Sequence, residues 1–183
     1  MRASGMPFID VMQTYFRGER IEALGFIVPV GAVLIAFAAV TLRAERGGFA
    51  WGLAIPLALF GAVAIALGLG VGLRTPSQVA SIEAAYADDP ASMLAEELPR
   101  MEKVNENWPL YIGTWATLIV VGLGLRFGLK ADWAHGVGPA LILVGAIGFL
   151  IDGFAERRAR PYTAALETLA AEQPGGVGAD SEP

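Results

Sequence analysis

Four long stretches of this chain contain no Asp, Glu, Lys or Arg: Ala23–Leu42, Gly47–Leu73, Asn107–Leu125 and Trp133–Ile151, of 20, 27, 19 and 19 residues. Each approaches the roughly 20 apolar residues a helix needs to cross a hydrocarbon core about 30 Å thick. The pattern predicts an all-α membrane protein, a four-helix transmembrane bundle with spans at about 22–42, 49–73, 108–127 and 133–152. Aromatic residues mark the span edges as interfacial anchors do: Phe49, Trp51 and Trp133 at the two short turns, Trp108 and Tyr111 at the other side.

Helical spacing continues into the polar segments. Phe8, Met12, Tyr15 and Phe16 form one face ahead of the first span, with Pro7 suited to a first helical turn. This segment, 1–18, is expected either to lie flat at the interface, turning into the membrane at Gly18, or to extend the first span. Thr75-Pro76 and Asp89-Pro90 both read as a helix cap followed by proline, and open helices through Val79, Ile82 and Tyr86 and through Met93, Leu94 and Leu98. Pro99 is expected to end or kink the latter. Pro161–Glu172 repeats the amphipathic spacing at Tyr162, Leu166 and Leu169, and the tail 174–183 is expected to be disordered.

A shift of 83 residues lays Arg17 on Arg100, Glu19 on Glu102, Arg20 on Lys103, Arg43 on Arg126 and Pro56 on Pro139. A shift of 84 then lays Gly61 on Gly145, Arg74 on Arg158, Glu83 on Glu167 and Pro90 on Pro174. The expected organisation is two tandem copies, 19–90 and 91–173, each a helical hairpin with amphipathic flanking helices. Two spans per copy return the chain to its starting side, so the repeats are parallel, related by an axis along the membrane normal.

Composition fits the same solvent. Apolar residues make up 55% and charged residues 17%, with a mean hydropathy of +0.53; soluble domains carry nearer a quarter charged. That argues against a nucleic-acid binder. The absence of cysteine excludes thiolate metal sites, disulfide exchange and cysteine nucleophiles. Charge is segregated: acids gather on the side that holds both chain ends and the long connection, as do nine of the 13 Lys and Arg residues. The basic bias orients both termini to the cytoplasm. Nothing resembles a cleavable signal, so the first span is expected to direct insertion itself. Eleven Arg against two Lys, with abundant Ala and Gly, suggests a bacterial inner membrane.

Within the spans, small residues form stripes at Ala64, Gly68 and Gly72, at Gly124 and Gly128, and at Gly145 and Gly148. Lipid supplies no hydrophobic drive between helices, so close backbone approach at such residues is the expected helix-packing device. Pro29, Pro56 and Pro139 each remove a backbone hydrogen bond inside a span. No ionisable group lies at mid-membrane depth, which argues against a proton relay or a carboxylate-based transporter.

The richest chemistry lies at the terminal side. Glu19 and Glu22, Glu102 and Glu106, and Asp152 and Glu156 are spaced to share helix faces, and six carboxylates at one mouth would suit a hard divalent cation. Arg17, Arg20, Arg100, Lys103, Arg157, Arg158 and Arg160 occupy the same level, and an ion-paired rim accounts for the set without a metal. The single histidine, His135, reads as an interfacial residue beside Trp133. No phosphate-binding, zinc-protease or serine-hydrolase motif is present, and no cofactor is expected. These features favour a non-enzymatic membrane protein that contacts lipid, a second copy of itself or a membrane-protein partner. A small oligomeric channel or transporter, and a metal-dependent enzyme or sensor using the carboxylate rim, are the alternatives.

Overall fold

A computed structural model describes residues 8–173, and within them only helices and short turns occur. Helix α1 (Phe8–Glu22) runs through a π-helical turn, Ala23–Ile27, into α2 (Val28–Ala44). Pro29 explains the wide turn. Its ring crowds the carbonyl four residues back and it donates no bond, so the preceding turn widens and Val28 N–H reaches back five residues to Ala23 O. Extended backbone at Glu45 stops α2, and Gly48 opens α3, the 41-residue helix Gly48–Asp88. Asp89 ends α3 and caps α4 (Pro90–Glu106), its Oδ1 accepting from the backbone N–H groups of Ala91 at 3.0 Å and Ser92 at 3.2 Å. After the single turn residue Asn107, α5 (Trp108–Gly128) continues the same path. A turn at Leu129–Ala131, closed by His135 Nε2 on Leu129 O at 2.9 Å, leads into α6 (Asp132–Glu172), again 41 residues.

Four helices, Phe8–Ala44, Gly48–Asp88, Pro90–Gly128 and Asp132–Glu172, are therefore long and apolar enough to cross a membrane. At 1.5 Å per residue each is about 60 Å long, twice the hydrocarbon thickness. The excess length corrects several local expectations. Thr75-Pro76 does not start a helix: α3 runs straight through it, and Thr75 Oγ1 donates to Val71 O at 2.7 Å instead of capping. Pro161 lies inside α6 and Pro99 inside α4, so neither ends its helix. Gly18 makes no turn, and α1 extends the first apolar helix rather than lying flat. Pro7 and the tail 174–183 fall outside the described residues.

The long helices build two different packings at their two ends. In the polar half, α1 and α4 each pack against both α3 and α6, closing a square. Its core holds Phe8, Met12, Phe16, Ile82, Met93, Leu94, Met101, Ala159, Tyr162 and Leu166. In the apolar half the square opens. There α2 packs on α3, α3 on α6 and α6 on α5, with no comparable contact of α2 to α5 or α6 among the described residues. The four apolar helices thus stand in a row, α2–α3–α6–α5.

Every junction in that row is a glycine crossing. A methyl group added at Gly31 would lie 2.6 Å from Gly61 O, and one at Gly61 would lie 2.6 Å from Gly31 O. Gly122 and Gly138 repeat this reciprocal 2.6 Å approach between α5 and α6. At the central junction, Gly52 abuts the backbone carbonyl of Trp133, and Gly136 abuts that of Phe49. Around this junction Leu34, Ala38, Leu53, Ala54, Leu57, Ala140 and Val144 form a second, smaller-residue core.

Candidate functional site

The two packings meet at a seam where α1 and its π-helical turn face α6. Gly18 lets α1 come down on the stem of Arg158, whose Cδ occupies the space a Cβ would need. The guanidinium turns to Glu22 and forms an ion pair, with side chains only 23% and 11% exposed. The pair is incompletely satisfied: Glu22 Oε1 and Arg158 Nε are buried without a hydrogen-bond partner. One helical turn earlier, Glu19 Oε2 lies 3.4 Å from Thr75 Oγ1. The single proton of that hydroxyl is taken by Val71 O at 2.7 Å. Glu19 is thus a second, more distant acceptor for the same hydroxyl. Burial raises the Glu19 pKa, opposed by Arg74, Arg100, Arg158 and the Thr75 hydroxyl.

Above the seam, the polar bundle encloses a complete hydrogen-bonded network. Glu97, 7% exposed, accepts from Arg100 through Nε at 2.7 Å and Nη2 at 2.5 Å, and from Tyr162 Oη at 2.8 Å. The hydrogen bond to Glu97 raises the Arg100 pKa. Tyr162 stacks on Tyr15 with ring centroids 4.8 Å apart and meets Phe16 edge-on. Burial, reinforced by the Glu19 charge, pushes the Tyr15 phenol up to about 12, and burial with Glu97 raises Tyr162 further in the same direction. A carboxylate with both oxygens occupied is a latch between α4 and α6 rather than an available base. The sequence reading missed it, although the three-residue spacing of Glu97 and Arg100 within a helix was its visible trace. Asn105 Nδ2 adds a second α4–α6 tie to Thr163 Oγ1 at 3.0 Å.

The six rim carboxylates do not converge. Glu19 and Glu22 are at the seam. Asp152 accepts from Trp115 Nε1 at 2.5 Å, Glu156 pairs with Arg160 at 2.5 Å, and Glu102 and Glu106 are exposed on α4. Among the described residues no group of three or more His, Cys, Asp or Glu is placed to hold a metal ion. Helix rotation sends the α4 carboxylates to solvent, while Glu22, Asp152 and Glu156 face Arg158, the Trp115 indole and Arg160, and Glu19 faces Thr75. His135 lies at the opposite end, bonded to Leu129 O, out of reach of every group at the seam.

The expected packing residues divide in two. Ala64 is buried; Gly68 faces Ala23 O and Val28, Gly72 faces Leu24, and Gly145 and Gly148 receive Trp115 and Ile119. Gly124 and Gly128 meet nothing within 4 Å, so within one copy they pack no helix. The outer position of α5 in the row is the reason: its far face has no neighbour. No family model, curated protein or solved structure matches the chain.

Proposed function

We propose that the chain is a non-enzymatic integral membrane protein that acts by association, pairing with a second copy through the uncovered face of α5. The carrying observation is the burial of that helix. In the most apolar stretch of Pro90–Gly128 only 6% of residues are buried, against 28% in the helices containing α3 and α6. Its outer surface carries Leu110, Val120, Val121, Leu123 and Phe127, all exposed. Gly113, Gly124 and Gly128 are open as well. The chain makes each of its own apolar junctions at glycines, and α5 presents the same device with no partner.

Membrane insertion is supported by four apolar helices whose outer faces stay exposed after the chain has folded on itself. The tandem-repeat reading is supported by the central junction. Phe49 and Trp133, like Gly52 and Gly136, lie 84 residues apart, so in that register the contacts Gly52–Trp133 and Gly136–Phe49 exchange with each other; this moves the added residue ahead of Phe49, and Pro56 and Pro139 then fall one residue out of register. A two-fold axis between parallel helices produces such an exchange, and it runs along the membrane normal. In this reading the polar bundle and both termini are cytoplasmic, in a bacterial inner membrane, with the turns at Glu45–Gly47 and Leu129–Ala131 outside.

The lack of native cysteine makes the test direct. Single cysteines at Gly124 and Gly128 are expected to cross-link copy to copy in native membranes, while one at Val63 on α3 does not. Monomers at both α5 positions would refute self-association, and a cross-link to a different protein would replace the second copy by a membrane partner. Labelling of Gly47→Cys from outside intact cells, with protection of Asp89→Cys, is the expected topology; the reverse pattern inverts it.

A further inference from the structure

We infer that the seam between the π-helical turn and α6 binds one anionic phospholipid, its phosphate held by Arg157 and Arg158 and one acyl chain lying along the groove below them. The groove is open, with a volume of about 500 Å³, and Glu22, Arg157 and Arg158 line it with apolar residues of the π-helical turn and α6. Its two ends differ in chemistry. Ile21, Phe26 and Phe154 give it an apolar floor, with open space at Gly25. The arginines lie at the other end.

Charge complementarity selects the headgroup. Of the acids beside the groove, Asp152 is engaged by Trp115, Glu156 by Arg160 and Glu22 by Arg158 through Oε2, its unpartnered Oε1 being buried away from the open surface. Arg157 is exposed and has no ion-pair partner among the described residues. Arg158 spends one nitrogen on Glu22 and keeps Nε buried and unpaired. A phosphate diester accepts from both guanidinium groups, and bidentate arginine geometry matches it.

Depth selects a lipid over a soluble anion. In the antiparallel α5–α6 pair, Trp115 bonds Asp152 and Asn105 at the end of α4 bonds Thr163. Between these two ties, Trp108 and Tyr111 stand at the level of residues 156–160. Interfacial tryptophan and tyrosine mark the headgroup layer, so Arg157 and Arg158 lie in it and Phe154 and Phe26 lie on the hydrocarbon side. This inference rests on membrane insertion but not on self-association through α5, which is on the other side of the row.

The test uses the full chain in neutral detergent, with thermal unfolding followed as lipid is added. Phosphatidylglycerol is expected to raise the melting temperature saturably, while phosphatidylcholine with the same acyl chains and inorganic phosphate do not. Arg157→Gln, an exposed position outside both cores, is expected to weaken the phosphatidylglycerol midpoint roughly fivefold, the effect of one basic side chain at an anionic lipid surface. Gly25→Leu, which fills the groove where nothing else is displaced, is expected to abolish the shift with the lipid-free melting temperature nearly unchanged. An equal shift with phosphatidylcholine, the full shift with inorganic phosphate alone, or an unchanged midpoint in both variants would each overturn the proposal. Cross-linking at Gly124 is unaffected by any of these outcomes, so the two readings fail separately.

Discussion

Gly61→Ala is the sharpest probe of how the apolar half holds together. A methyl group there would lie 2.6 Å from Gly31 O and 2.9 Å from Ile35 Cγ1. A comfortable carbon–oxygen approach is about 3.3 Å or more, so α2 and α3 must separate by roughly 0.7 Å. The carbonyl is backbone and has no rotamer in which to retreat. A gap of that size forfeits about a quarter to a half of each van der Waals well along the crossing, and overpacking of this kind costs about 1–3 kcal/mol. Against it stands the better helix propensity of alanine, at most about 1 kcal/mol. The expected net is a loss of up to about 2 kcal/mol for Gly61→Ala, and neutrality or a gain for Gly70→Ala, whose methyl meets nothing within 4 Å. Because the contact is reciprocal, one separation accommodates both methyls. Gly31→Ala combined with Gly61→Ala is therefore expected to cost clearly less than the sum of the two single changes. Reversible unfolding in mixed micelles measures all four variants. A Gly61→Ala protein as stable as Gly70→Ala, or strict additivity in the pair, would refute the reasoning.

Three further outcomes follow from the polar half. Tyr15 is neutral in the folded bundle to about pH 12 and in the unfolded chain to about 10. The folded state thus holds its proton longer, and stability is complete below pH 10 and falls as pH rises toward 12, by up to ~2.7 kcal/mol for a two-unit shift; Tyr15→Phe should flatten that decline, and an unchanged alkaline profile would contradict it. Glu22→Gln leaves the Arg158 charge half-buried without its partner and is expected to cost roughly 3 kcal/mol, whereas Glu22→Gln with Arg158→Met recovers part of it; thermal unfolding of the two variants showing equal loss would mean the pair is not coupled. Asp89→Ala removes the α4 cap bonds to Ala91 and Ser92 and is expected to cost about 1 kcal/mol, read as faster amide exchange at residues 91–93.

The two ends of the molecule pack differently, a closed square at one and a row at the other, as the proposed membrane insertion of the apolar half would require. In the polar half, burial of Phe16, Met12, Tyr162 and Leu166 from water closes the square, and a polar outer face keeps it soluble. In the apolar half, under the proposed insertion, lipid would replace water on the outer faces, and the helices meet through close backbone approach, as at Gly31–Gly61, Gly52–Gly136 and Gly122–Gly138. A row is stable there without closing. The same freedom leaves α5 available for a second copy and opens the groove beside Phe26 and Phe154, where α2 parts from α6.

By itself the sequence determined what is local. The four charge-free runs identify four long apolar helices, the turns at Glu45–Gly47 and Leu129–Ala131 follow from where those runs stop, and Asp89-Pro90 caps α4 as its residue types require. Thr75-Pro76 carries the same local signal and was overridden: a proline within a long helix forfeits one bond, and packing of Val79 and Ile82 against α1 and α4 keeps α3 intact through it. Which glycines pack was beyond local reading. Gly68 and Gly145 are covered while Gly124 is bare, yet all three are flanked by Leu, Val or Ala. In water, a helix advertises its buried face by contrast with a polar one. In α5 both faces are apolar, so nothing along the chain records which side meets α6; only the lateral order of the helices decides it. The rim carboxylates and the Glu97 latch divide in the same way. Spacing placed Glu102 and Glu106 on one face, and the packing of Met101 and Leu94 into the core turned that face outward and drew Glu97 in, because a buried carboxylate is tolerated only where Arg100 and Tyr162 complete its hydrogen bonds.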